Sequence, residues 1–176
     1  MARIAQGIGL KVLAWNRTAK PGTVPLEQLL AQSDIVSLHL GLNDETRGFL
    51  DRERLGRTKP GVIVVNTARG PICNTGALVA GLNSGKLAAV ALDVLPKEPA
   101  SADDPLVKAW LANEPWIRGR VLLTPHAAFY SPDSLADLRR RISATKWPER
   151  EIVADGTQGV QLGTMEKLAR YWASDY

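Results

Sequence analysis

The chain has 176 residues, a formal charge of +4 and a pI near 9.4. With 45% apolar and 23% charged residues it has enough apolar side chains for the core of one domain, and no apolar run is long enough to cross a bilayer. Cys73 is the single cysteine, which excludes an internal disulfide and a cysteine-only metal site.

In chain order, residues 1–9 suit the end of a helix. Ala2, Ile4, Ala5 and Ile8 give it an apolar side, and Gly7 and Gly9 stop it. Residues 11–15, KVLAW, suit a short strand, and 16–25 a loop. A short helix over 26–32 leads to a strand over 34–40, DIVSLHL. Residues 51–56 have a helical pattern, and Lys59-Pro60-Gly61 is a turn. The β-branched run at 62–67 is the next strand. Asn74 is placed to cap a helix over 77–83 that Gly85 closes. Residues 87–94 are a strand, 105–111 a helix and 121–124 a strand. Ser131 or Asp133 caps a helix through Leu135, Leu138, Ile142 and Lys146, which Pro148 stops.

Strands alternating with helices at this spacing imply βαβ units. The expected fold is α/β, a doubly wound parallel sheet. After Pro148 the character changes: Gly156, Gly159 and Gly163 punctuate a mixed stretch, 152–154 suits a stray strand, and 165–172 suits a helix. The expected organisation is therefore a main domain over 1–147 and an irregular tail over 148–176. Basic residues gather late, at Arg139, Arg140, Arg141, Lys146 and Arg150. A nucleic-acid surface needs charge spread more widely, on a known module, so these are expected on a solvated helix face. No nucleic-acid or membrane partner is expected. The opening residues show no apolar core followed by a cleavage site, so the cytoplasm is the expected compartment.

Residues 62–70, VIVVNTARG, carry the chemistry. A continuous β-branched run suits a strand covered on both faces. Its polar end marks where the chain leaves the core. Ligands of open α/β sheets bind beyond the carboxyl ends of strands, which places Arg69 where a substrate or cofactor arrives.

Three segments share that position: VNTARG at 65–70, ALDVLPKEP at 91–99 and TPHAAFYS at 124–131, with SDIVSLHL and LNDETRGFL ahead of them. In this order they resemble the D-isomer-specific 2-hydroxyacid dehydrogenase family over residues 1–146. The resemblance implies a Rossmann-type domain, NAD or NADP as cofactor, a small 2-oxo or 2-hydroxy acid as substrate, and a homodimer. It places the family's catalytic arginine, glutamate and histidine on Arg69, Glu98 and His126. The chemistry suits these residue types. A guanidinium is a planar cationic fork for a carboxylate. An imidazole exchanges a proton near neutral pH, and a carboxylate beside it favours its charged form. Leu40, Thr67, Ala68, Asp93 and Ala128 fall on the nicotinamide side. His39 is given a structural role.

Asn16, Arg17 and Thr18 follow the KVLAW segment, where dinucleotide-binding folds read the adenosine ribose. An acid there accepts from the 2′-hydroxyl, and an arginine accommodates a 2′-phosphate. The acid is absent and Arg17 is present, so NADP is expected slightly ahead of NAD. In the alternative, Asn16 bonds the ribose and Arg17 faces solvent.

The family's glycine-rich G-x-G-x-x-G loop and its preceding strand are not in these 176 residues. The amides that cradle a pyrophosphate are therefore missing, and the expectation is a truncated Rossmann domain with impaired turnover. In the order 3-2-1-4-5-6 the missing strand belongs between those carrying Trp15 and Thr67, which predicts a split sheet with two unpaired edges. Two other readings compete. HAAFYS is similar to a stretch in the C-terminal-binding corepressors, dehydrogenase relatives that assemble protein complexes, which implies a non-catalytic dinucleotide-sensing interaction module. A truncated product without independent function is the other.

Overall fold

The computed structural model describes residues 1–127, 131–145 and 162–174. The chain divides into two compact units, Met1–Pro125 and His126–Tyr176.

The first unit is built on four parallel strands: β1 (Ile35–Leu38), β2 (Val62–Asn66), β3 (Leu87–Leu92) and β4 (Val121–Leu123). Five α-helices belong with them: α1 (Ala2–Gly7), α2 (Leu26–Gln32), α3 (Arg52–Gly56), α4 (Thr75–Asn83) and α5 (Pro105–Leu111). This is the α/β, Rossmann-like arrangement expected of the strand–helix alternation.

Three of the helix starts have a local cause. Asp51 caps α3 by accepting from the Arg54 N–H at 2.8 Å. Asn74 caps α4 through the Ala77 N–H at 2.9 Å. Asp104 caps α5, whose first residue is Pro105, and accepts from Leu106 and Val107. Such side-chain oxygens satisfy amides that the first helical turn leaves unpaired.

Burial follows position in the sheet. β2 is central, and its Val62, Val64 and Asn66 are sealed on one face while Ile63 and Val65 are half-buried on the other. β1 is an edge strand and alternates, with Val36 and Leu38 buried and Ile35 and Ser37 exposed. The core joins these strands to Leu30, Leu50, Ile72, Leu78, Leu82, Leu87 and Leu106. Gly81 lets α4 approach the start of β3 closely, because a β-carbon there would meet Leu87 Cγ at 2.8 Å.

Two sequence expectations are corrected. The sheet is not split: its order is β1-β2-β3-β4, and Ile35 to Leu38 pair directly with Ile63 to Asn66. The strand carrying Asn66 thus already has a neighbour on each side. Residues 11–15 are not a strand. Backbone groups form a ladder only beside another strand. The only backbone hydrogen bond described for this segment outside the regular elements runs from Val24 N–H to Ala14 C=O, at 2.8 Å. The segment is held instead by Trp15, whose ring stacks on Phe49 with centroids 5.3 Å apart. Arg54 covers Phe49 at 4.5 Å from the ring centroid, a favourable placement of a cation on an aromatic face.

The second unit contains two helices that pack on each other, α6 (Pro132–Ser143) and α7 (Leu162–Ser174). Ser131 caps α6 through the Ser134 N–H. None of the α6 residues is buried. Arg140 and Arg141 both pair with Asp137. The hydrogen bond from Arg140, with Arg141 close by, holds the Asp137 carboxyl below its ordinary pKa. Arg140 and Arg141 therefore share one counter-charge on their own helix. Ala128, Lys146, Pro148 and 152–154 lie outside the described residues. No described helix is long and apolar enough to cross a membrane.

Candidate functional site

A cleft of about 530 Å³ opens at the carboxyl ends of β1 and β2, within the size range of small-ligand sites. His39, Leu40, Gly41 and Leu42 line it from the first strand, and Thr67, Ala68 and Arg69 from the second. Leu40, Thr67, Ala68 and Arg69 were all singled out in the sequence. His39, given a structural role there, lines the same cleft, and its Nε2 lies 3.0 Å from Ser37 Oγ.

The loop that carries Arg69 is organised by Asn66, which is fully buried. Its Oδ1 accepts from the Ala68 N–H at 3.0 Å. Its Nδ2 donates to the Arg69 carbonyl at 3.0 Å and reaches Cys73 Sγ at 3.4 Å. One side chain thus fixes the two residues that follow Thr67. The Arg69 side chain is exposed, and its Nη1 donates to the Ala68 carbonyl at 2.7 Å. Sequence reasoning passed over Asn66, although a lone amide ending an apolar run is the signal that marks it.

The next glycine ties this loop to its neighbour. A β-carbon on Gly70 would lie 1.9 Å from the Leu95 carbonyl carbon and 2.5 Å from Pro96 N. The β2 and β3 loops therefore meet backbone to backbone. The β3 loop carries Glu98, exposed, whose Oε1 accepts from the Leu95 N–H at 3.1 Å. Asp93, at the end of β3, accepts from Thr124 Oγ1. Its N–H donates to Asn66 C=O at 3.0 Å.

The segment 41–50 is clasped along the far side of the Arg69 loop. Gly48 and Leu50 donate to the carbonyls of Pro71 and Ile72 at 2.8 and 2.9 Å. Within it, the hydroxyl of buried Thr46 donates to Gly41 C=O at 2.7 Å and its N–H donates to Asn43 Oδ1 at 2.9 Å. Asn16 Nδ2 donates to the Thr18 carbonyl at 2.6 Å. Arg17 is ion-paired with Glu45. His126 opens the second unit, with φ at +50°, a conformation in which histidine is among the enriched residues. Burial pushes the Cys73 thiol up to about 12, against a smaller opposing effect of the Asn66 amide. Among the described residues no group of three His, Cys, Asp or Glu side chains is placed to hold a metal ion.

Residues 1–128 match the profile of the D-isomer specific 2-hydroxyacid dehydrogenase NAD-binding domain. Residues 123–176 match a second profile, described as epoxide hydrolase N terminus. Among curated relatives, a hydroxypyruvate reductase of Blautia hydrogenotrophica is 38% identical over 139 residues, covering 75% of this chain and 40% of its own length. A crystal structure of a glyoxylate reductase from Paecilomyes thermophila is similar at TM-score 0.66 and 37% identity, over 77% of this chain and 40% of that one. That of a D-lactate dehydrogenase from Aquifex aeolicus, complexed with NAD and lactic acid, gives TM-score 0.68 at 31% identity, over 80% and 46%. The chain spans about two fifths of the length of the curated relatives it matches.

Proposed function

The chain belongs to the D-isomer specific 2-hydroxyacid dehydrogenases, as a NAD-binding domain, and from that membership we propose that it serves hydride transfer between a nicotinamide and a small 2-oxo or 2-hydroxy acid. The observation that carries the reading is Arg69, a guanidinium at the rim of a cleft whose walls are the carboxyl ends of two adjacent parallel strands. Arg69 holds the substrate carboxylate through charge-assisted hydrogen bonds. On the family resemblance, His126 gives the proton that the carbonyl oxygen takes up, and Glu98 is the third member of the catalytic set.

The cleft fits the nicotinamide end of a dinucleotide. Leu40 and Ala68 give it half-buried walls beside the exposed Thr67, and the Asn66 brace holds the loop at Ala68 and Arg69. When bound, the dinucleotide supplies or accepts the hydride. Asp93 and Ala128 belong to the same end, and Asn16, Arg17 and Thr18 to the adenosine ribose. Arg17 alone would accommodate a 2′-phosphate and favour NADP, but here it is engaged by Glu45. Turnover by these 176 residues is reduced, because no G-x-G-x-x-G loop within them cradles the pyrophosphate.

The test is NADH oxidation, followed by absorbance, with glyoxylate, hydroxypyruvate and pyruvate in turn, beside a titration of NADH binding. Saturable binding with slow, acid-dependent oxidation is expected. Folded protein at high concentration that neither binds NADH nor oxidises it overturns the reading.

A further inference from the structure

We infer that Glu45 sets the dinucleotide preference of this site, by engaging Arg17 and excluding a 2′-phosphate, so that the site favours NADH over NADPH. The inference rests on the proposed assignment of residues 16–18 to the adenosine ribose. The sequence alone shows an arginine in that place and no acid. The structure supplies an acid from elsewhere: Glu45, 28 positions further on, is ion-paired with Arg17 Nη1.

Two features make this more than a chance surface contact. First, the Glu45 backbone is fixed, because the next residue, buried Thr46, closes the 41–46 turn through Gly41 and Asn43. Second, the same two segments meet again nearby, where Trp15 stacks on Phe49. Arg17 and Glu45 are therefore brought together by an aromatic anchor two residues before the arginine and four residues after the glutamate.

The pair itself is exposed, at 57% and 71% of the side-chain surface, and adds little to stability. Its weight is electrostatic. A 2′-phosphate carries close to two negative charges. It would have to displace the Glu45 carboxylate from Arg17 and then remain within a few ångströms of it. A 2′-hydroxyl has no such conflict, and a carboxylate at this place is the group that accepts from it. The acid missing after residue 15 is thus replaced by one from the loop after β1.

The test is a titration of NADH and NADPH into the full chain and into Glu45→Gln, Arg17→Ala and the double variant. Release of Arg17 to pair with the 2′-phosphate through charge-assisted hydrogen bonds predicts that Glu45→Gln raises NADPH affinity relative to NADH about tenfold. In the Arg17→Ala background the same change gives about twofold or less. Binding of both dinucleotides with an unchanged ratio in Glu45→Gln overturns the inference and leaves the dinucleotide reading standing. A full tenfold gain that persists without Arg17 also overturns it, since Glu45 then acts without Arg17. Failure of every variant to bind either dinucleotide, with folding intact, overturns the dinucleotide reading and this inference with it.

Discussion

Gly70 lies so close to Leu95 that a β-carbon built on it would sit 1.9 Å from the Leu95 carbonyl carbon and 2.0 Å from its oxygen. The loop bearing Arg69 and the loop bearing Glu98 therefore touch through backbone alone. Any side chain at position 70 has to part them.

Gly70→Ala is accordingly expected to cost about 3 kcal/mol or more, at the upper end of overpacking effects. Gly81→Ala is the comparison. There the added carbon meets the Leu87 side chain at 2.8 Å, which yields more readily, and a loss of about 1 kcal/mol is expected. Urea denaturation of both variants checks the order. Equal midpoints would show that parting the two loops costs no more than displacing the Leu87 side chain.

Asn66→Ala strips the Ala68 N–H and the Arg69 carbonyl of their partner inside a sealed position. Polar groups left unpaired in this way cost about 1–3 kcal/mol each. The expected result is a stability loss of about 2 kcal/mol or more by denaturation, with faster amide exchange at Ala68. Unchanged exchange at Ala68 would mean that the turn holds itself.

Arg69→Gln separates function from fold. The side chain is exposed and its one described hydrogen bond is to its neighbour's carbonyl, so stability is expected to stay within about 0.5 kcal/mol. The KM for a 2-oxo acid is expected to rise about 10- to 100-fold, since hydrogen bonds to a charged group contribute about 1.5–3 kcal/mol. An unaltered KM in a chain that turns over would remove Arg69 from the carboxylate site.

Cys73 gives a pH dependence with a definite sign. Its folded thiol is raised from an ordinary 9.0 to about 12 by burial. Below pH 9 both folded and unfolded thiols are neutral, and the favourable contribution is complete. Between about 9 and 12 the unfolded thiol ionises and the folded one does not. Stability should fall there by about 1.4 kcal/mol per pH unit, and Cys73→Ala should lose that part of the slope. Denaturation midpoints between pH 8 and 10.5 measure it. In the native state the thiol should also resist iodoacetamide at pH 8.

The sequence by itself determined the parts whose cause is local. The β-branched run at β2, the apolar run at β3, the cap at Asn74 and the helix over 105–111 each depend on residues within one or two turns. Spacing and side-chain type are enough to read them. The motif at 65–70 also marked Arg69 without any coordinates. The tertiary structure decided which separated segments become neighbours. It put β1 directly against β2, left KVLAW outside the sheet, made Asn66 the brace of the Arg69 loop, and brought Glu45 to Arg17. Apart from the lone amide that ends the apolar run at Asn66, none of these has a local signature. A strand exists only when another backbone completes its hydrogen bonds. A buried amide and an ion pair across 28 residues depend on packing of the whole unit, and no periodicity in the chain encodes that.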